Sequence, residues 1–511
     1  MAKFNVLKRA VVRTHEGGAG YERGVKSELF MLAVANMVGE DTFYERAGER
    51  DQRFAGLVHR VAVEDVEWLT RFVRWLRTEA NMRSAPLVAA AEGVHARLAA
   101  GIAGNNRALI SAAMHRADEP GELLAYWMGK HGRNLPMPVK RGVADAAVRL
   151  YAEYPLLKYD TGAHGVRFAD VIELTHPAGR RGGAWKDDLF RHAIERRHGR
   201  DEAPSDRLAM VRANARLRAL AAGEPAALLD PQALKAAGMT WEDVLSMAGS
   251  ALPKARLWEA LIPAMGLMAL ARNLRNFDEA GVSYEAAALV TARFGDPEQV
   301  ARSRMFPFRW LSAYEQAPSL RWGHALDRAL QASLSNIPAL PGRTLVLVDT
   351  SGSMTGRPIS KRSTVTPLKA AAVFGVALAA KGERVDLVGF ADGRKPFRHK
   401  VAAGASVIRE VDKFVGRSGE DGHGTAIAAS LRATYDRHDR VVIVSDMQTM
   451  DDGVTTAVPA RIPLYGFNLG GYRVTAVPER TPNRVEFGGL TDATFRMLPL
   501  IEAGRDEAWP F

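Results

Sequence analysis

The stretch Thr344-Leu345-Val346-Leu347-Val348-Asp349-Thr350-Ser351-Gly352-Ser353 decides the fold class of the last third of the chain. It opens on a continuous apolar, β-prone run and ends on a carboxylate and two hydroxyls at alternate positions. A strand that is apolar on both faces belongs to a parallel sheet covered by helices. The downstream sequence alternates accordingly. Helices are predicted over 369–381 and 426–435, and strands over 384–390, 441–445 and 463–467. In such sheets ligands bind at the carboxyl ends of the strands.

Asp349, Ser351 and Ser353 stand where the first strand runs out. In extended chain, side chains at i, i+2 and i+4 share a side. Gly352 then lets the loop curl around an ion. These hard oxygen donors suit Mg2+, with Mn2+ or Ca2+ as alternatives, and are poor for zinc. Thr425, behind Gly422-His423-Gly424, and Asp446, directly after the strand over 441–445, lie at equivalent strand ends. They are candidate direct or water-mediated ligands. The competing reading has Asp349 and the serines capping a helix or turn. No catalytic residue is expected. An aspartyl phosphotransferase would need a second Asp where Ser351 stands, and neither a Gly-Lys-Ser/Thr nor a Gly-x-Ser-x-Gly signature fits this strand.

A chain of 511 residues exceeds one typical core, so two or more domains are expected. Cysteine is absent, which removes disulfides and thiolate metal sites and suits a reducing cytosol. The N-terminus lacks a signal-peptide pattern, and no apolar run reaches the roughly 20 residues a bilayer needs. The expected location is cytoplasmic, with no membrane partner.

Residues 1–335 show helical periodicity and almost no strand signal. Val66, Leu69, Val73 and Leu76 form one apolar stripe, and Trp258, Leu261, Ile262, Met265, Met268 and Ala269 another over three turns. Breaks are read at Ala85-Pro86, Glu119-Pro120-Gly121, Asp230-Pro231 and Ala251-Leu252-Pro253. Many helices with short connections suggest stacked helix pairs, as in an α-solenoid. Two prolines and a glycine across 335–342 end this region. The net charge of +11 is uneven: residues 130–200 hold 14 basic against 8 acidic residues. Five of the 13 histidines fall there: His131, His164, His176, His192 and His198. Such a concentration suits a polyanionic partner.

Asp349-Thr350-Ser351-Gly352-Ser353-Met354, Thr425 and Asp446 resemble the metal-ion-dependent adhesion site of von Willebrand factor A domains. Four earlier segments resemble the TROVE module. They are Lys130 to Gly142, Phe168 to His176, Met265 to Asn276, and Arg304-Met305-Phe306-Pro307-Phe308-Arg309. TROVE followed by von Willebrand factor A is the architecture of the Ro autoantigen family, and the whole chain resembles its bacterial members.

That resemblance implies an all-α, HEAT-repeat-like ring over 1–342, followed by a doubly wound α/β domain over 343–511. It implies a noncoding-RNA-binding protein. Y RNA would lie on the outer basic surface, and single-stranded 3′ ends of misfolded or structured RNAs would enter the central hole. The role would be RNA quality control or degradation within a ribonucleoprotein, by a monomeric, non-enzymatic protein, with a 3′ exonuclease tethered through Y RNA. Lys140, Arg141 and His176 would contact Y RNA, with Arg133 and Lys158 behind them, and Arg272 would line the hole. The sequence departs from the family around Lys158 by introducing Asp160. Competing readings are a helix-end role for His176 and a buried ion pair for Arg272. Trp241 and Trp258 read as core. The alternative for the whole chain is a metal-dependent protein–protein scaffold without RNA.

Overall fold

The computed structural model describes residues 12–35, 42, 44–163, 165–200, 202–305, 307–317, 319–334, 340–358, 365–392, 394–402, 404–478, 483–488, 498, 509 and 511. His164, Phe306 and the 335–339 part of the expected domain break therefore lie outside the described residues. Two compact units form. One comprises Met1–Leu57, Phe306–Ser312 and Leu330–Pro510, and the other Val58–Met305, Ala313–Ala329 and Phe511. The expected division at 342 does not capture this, because the N-terminal segment folds with the α/β unit.

Nine strands occur among the described residues. They are β1 (Val12–Arg13), β2 (Ala19–Glu22), β3 (Arg343–Asp349), β4 (Arg384–Phe390), β5 (Phe397–His399), β6 (Arg440–Ser445), β7 (Leu464–Asn468), β8 (Val474–Thr475) and β9 (Arg484–Gly488). The main sheet runs β5-β4-β3-β6-β7-β9. All its pairs are parallel except β4 with β5. The helices expected over 369–381 and 426–435 are Pro367–Lys381 and Ile427–Thr434.

One face of the sheet buries Leu345, Leu347, Val388, Phe390 and Ile443 against Ile427 and Leu431. Against the other face, helix Pro367–Lys381 approaches so closely that a Cβ on Gly375 would lie 2.8 Å from Val348 Cγ2. A second sheet, β1-β2-β8, is antiparallel. It was invisible in the sequence because strands of two and four residues carry no periodicity and exist only through pairing.

In the helical unit, Asp65 Oδ1 caps helix Val66–Thr78 by accepting from Trp68 N at 3.0 Å, and the stripe buries Leu69, Val73 and Leu76. Asp230 caps helix Pro231–Ala236, its side chain accepting from Gln232 N. Pro86 and Pro120 sit in the first turns of helices Ser84–Ala99 and Glu119–His131, where a missing N–H costs nothing. The stripe read from Trp258 to Ala269 is not one helix. Pro263 breaks it into Lys254–Leu261, a 3-10 turn over Ile262–Ala264, and Leu267–Ala280. Trp258 is core, against Trp241 and Phe277. Arg304 donates to Thr78 O at 3.3 Å, joining residues far apart within this unit.

Glu92 ties three helices together. Buried on helix Ser84–Ala99, it meets His59 at 2.7 Å, the Tyr126 hydroxyl at 2.7 Å, and His131 and Lys130 at 3.1 Å each. Burial opposes its charge, but these hydrogen bonds and the lysine outweigh it and hold its pKa down at about 2. A depressed carboxylate stabilises above its unfolded pKa, and that contribution is lost as pH falls toward the folded value. Acid unfolding of the wild type between pH 4.5 and about 2, followed by circular dichroism, should be shallower in Glu92→Gln. The variant should also lose on the order of 2 kcal/mol at neutral pH. In the α/β unit, Gly375→Val should cost about 1–3 kcal/mol in urea unfolding.

Candidate metal centre and nucleic-acid surface

Strand register builds the first site. β3 and β6 are neighbours with Val348 opposite Val444, which sets Asp349 opposite Ser445 and brings Asp446 out one residue further along the same carboxyl edge. Past Asp349 the chain turns at once into the short helix Gly352–Thr355. The extended-chain argument therefore fails beyond Ser351, and Gly352 has no left-handed φ. The hydroxyls still converge, because the helical turn brings Ser353 Oγ to 3.2 Å from Ser351 Oγ. Ser351 occupies the N-cap position without using its side chain as a cap, while Asp349 accepts from Ser351 N as in an Asx turn, which the turn-capping reading also expects. Thr425 is carried by a loop pinned to the end of β4: Ala426 N donates to Ala391 O at 2.7 Å, and Ala391 N to Asp421 Oδ2 at 2.7 Å.

All five candidate ligands are buried, Ser353 being the most exposed at 8%. Asp349 accepts from Ser351 N at 2.9 Å and from Ser445 Oγ at 2.6 Å. Asp446 accepts from Gln448 N at 3.1 Å. Among the described residues neither carboxylate forms an ion pair. Burial pushes both pKa values up, and each is raised further by a nearby negative charge, Asp349 acting on Asp446 and Glu16 on Asp349. Two buried acids ringed by hydroxyls and lacking a cation fit a hard divalent ion. No group of three Asp, Glu, His or Cys side chains among the described residues could hold a metal by itself, so the hydroxyls are needed.

Sequence reasoning missed Ser445, which was legible as the strand-end residue beside Asp446. The pairing of Glu16 with Tyr44 carries no local signal.

The second candidate surface is in the helical unit. Arg133 precedes helix Met137–Leu150, which carries Lys140 and Arg141. Arg133, Arg141, His176 and Arg272 are exposed and Lys140 is half-buried. None of these four cations forms an ion pair among the described residues, which overturns the buried-pair reading of Arg272. Lys158 is exposed and lies over the rings of Tyr154 and Tyr159, at 5.5 and 5.1 Å. Asp160 does not engage it: it is buried and held by Arg167 at 2.7 Å. His176 ends helix Phe168–Thr175 in the left-handed region, φ 49°, through its backbone, leaving the imidazole exposed.

Much of the charge over 130–200 is spent internally. His131 is bound to Glu92, His198 to Glu173 at 2.7 Å and Arg197 to Asp170 at 3.1 Å, while His192 and Lys186 are withdrawn into packing. The expectation of five available histidines thus reduces to His176 among the described ones.

Arg141, Asp145 and Arg149 follow at i, i+4 and i+8 on helix Met137–Leu150, hence on one side of it. Asp145 and Arg149 line an open groove of about 620 Å³, with Arg74, Arg107, Ser111 and His115 opposite. Arg107 is neutralised in a fork by Asp145, at 2.6 and 2.7 Å. Arg149 is held only by Ser111 and by the Met114 carbonyl, and Arg74 has no ion pair among the described residues. Two guanidinium charges therefore remain uncompensated in the groove. His115 adds none, since burial and the nearby Arg77 and Arg149 lower its pKa.

The TROVE domain family matches residues 234–322. That stretch includes Arg272 but not the basic helix Met137–Leu150. Telomerase protein component 1 of Mus musculus is 40% identical over 83 residues, 16% of this chain and 3% of that protein. Its Rattus norvegicus counterpart is 39% identical over 111 residues, 21% and 4% respectively. This chain thus spans only a small part of those curated relatives. The crystal structure of the Deinococcus radiodurans Ro protein matches with a TM-score of 0.62 at 18% identity, over 93% of this chain and all of that one. The helical unit and the parallel α/β sheet share the fold of that Ro protein, and residues 234–322 within this chain match the TROVE domain family.

Proposed function

We propose that this protein binds noncoding RNA through its helical unit. The observation that carries this is the row of unpaired cations Arg133, Lys140 and Arg141, adjoining the groove in which Arg74 and Arg149 keep their charge. Uncompensated Lys and Arg on one surface suit phosphates, and neighbouring grooves suit extruded or single-stranded segments. The TROVE match and the Ro fold support the same reading. The finer assignment follows the family. Y RNA is the ligand of the Arg133–Arg141 surface, with Lys158 and His176 contributing. Single-stranded 3′ ends of noncoding RNAs are a second ligand, near Arg272. The protein acts without catalysis, as a cytoplasmic monomer, in RNA quality control or degradation, with a 3′ exonuclease joined through the RNA. No helix among the described residues is long and apolar enough to cross a membrane.

The α/β unit is proposed to hold Mg2+ through Asp349, Ser351, Ser353, Thr425 and Asp446, directly or through water. The ion supplies a positive charge that can accept a further oxygen ligand. No chemistry is assigned to it.

Binding of RNA copurified from the native host, measured by fluorescence anisotropy against salt, tests the first reading. The double variant Lys140→Glu/Arg141→Glu should bind at least about tenfold more weakly. Its slope of log K on log salt should be smaller by roughly 1.5–2. An unchanged slope in the folded variant places the site elsewhere. For the metal, millimolar Mg2+ should raise the melting temperature of the wild type. Asp349→Asn should abolish that rise without altering RNA affinity. An equal Mg2+ response in both proteins rules out this donor set.

A further inference from the structure

The groove lined by Arg74, Arg107, Ser111, Asp145 and Arg149 is built as a ladder between two helices. Helix Asn106–Ala112 lies so close to helix Met137–Leu150 that a Cβ on Gly142 would sit 2.7 Å from Ile110 Cβ. That approach brings their side chains within reach of one another. Two rungs cross between the helices, each joining residues 38 positions apart. In the first, Arg107 Nε and Nη2 grip both oxygens of Asp145, at 2.6 and 2.7 Å. The second lies four residues, one turn, further along both helices. There Arg149 donates only to Ser111 Oγ and Ser111 O, at 3.2 Å each, and to Met114 O at 2.8 Å.

The two rungs are chemically unequal. A guanidinium holds a carboxylate and a phosphate in the same two-pronged geometry. Asp145 is therefore a resident anion, standing where a phosphate would sit on Arg107. The second rung has no anion among the described residues. Arg149 is oriented by a hydroxyl and two carbonyls with its charge unmatched, and Arg74 lines the same groove without an ion pair among the described residues. An anion entering at Arg149 thus meets a free guanidinium and, one turn away, a second one already occupied. The occupying pair is open to solvent, its side chains 49% and 33% exposed, and such pairs hold weakly. It can be exchanged for another anion without disturbing the core. The groove, at about 620 Å³, has the volume of a site for a nucleotide-sized ligand.

We infer that Asp145 is a specificity-determining residue of the RNA-binding surface, an internal competitor that keeps Arg107 out of use until a phosphodiester of a single strand, entering the groove at Arg149, replaces it. The inference rests on the RNA reading above. It gives the groove a threshold. An isolated phosphate at Arg149 gains one contact, and only a strand that follows the groove to the next rung gains Arg107 as well.

The test uses full-length protein and a fluorescein-labelled, single-stranded oligouridylate, read by anisotropy over a series of salt concentrations. Asp145→Asn keeps the size of the side chain and releases Arg107. It should bind about two- to fivefold more tightly. Its slope of log K on log salt should be steeper by about 0.7, one further phosphate contact. Arg107→Ala/Asp145→Asn should return to the wild-type affinity and slope, since no freed guanidinium remains. Asp206→Asn makes the same change of charge outside the groove, releasing Arg212, and should leave affinity unchanged. An equal gain in Asp206→Asn reduces the effect to net charge and overturns the inference. So does unchanged affinity in Asp145→Asn shown by circular dichroism to be folded. Tighter binding of inorganic phosphate by Asp145→Asn, with no gain for the oligouridylate, marks a free-anion site and overturns the assignment to a strand. If Lys140→Glu/Arg141→Glu binds the oligouridylate as the wild type does, the RNA reading itself fails. Loss in that double variant with no gain in Asp145→Asn sinks only the role of Asp145.

Discussion

The α/β unit depends on the burial of two carboxylates at neighbouring strand ends without a basic residue to meet them. The parallel register of β3 and β6 sets Asp349 opposite Ser445, with Asp446 one residue further along the same edge. Every nearby device serves to make that burial tolerable. Ser351, Ser353 and Ser445 turn hydroxyls inward, and Gln448 offers its backbone N–H. Hydrogen bonds from neutral donors reduce the cost of a buried charge but do not cancel it. The remaining deficit is positive charge, which the proposed divalent ion would supply.

The helical unit obeys the opposite constraint. It has cations in excess, and its acids decide which of them stay available. Glu92, Asp160, Asp170 and Glu173 each capture a neighbour, and these captures hold helices together. What is left over, Arg133, Lys140 and Arg141 beside the Arg74 and Arg149 groove, is the charge that can act outward. Net charge over a window is therefore a poor guide to a binding surface until the internal pairs are subtracted.

Local patterns were legible wherever local forces sufficed. The apolar run before Asp349 and the Asp230 cap are where periodicity and capping place them. The reading failed where chain neighbours mislead. The stripe across Pro263 looked continuous because side-chain hydrophobicity does not register a missing N–H. The spacing of Ser351 and Ser353 gave the right residues for a wrong reason, since the chain there is a helical turn and not extended.

By itself the sequence determined the class of the two main parts, the edge of the sheet at which a ligand would sit, and the oxygen donors gathered there. These follow from periodicities and turn chemistry that act over a few residues. Only the tertiary structure decided that the N-terminal segment joins the α/β unit, that Glu16 and Tyr44 meet, and which basic residues remain unpaired. Pairing of short strands and capture of one charge by another depend on partners tens or hundreds of positions away. The energy that fixes them appears only when the chain has folded.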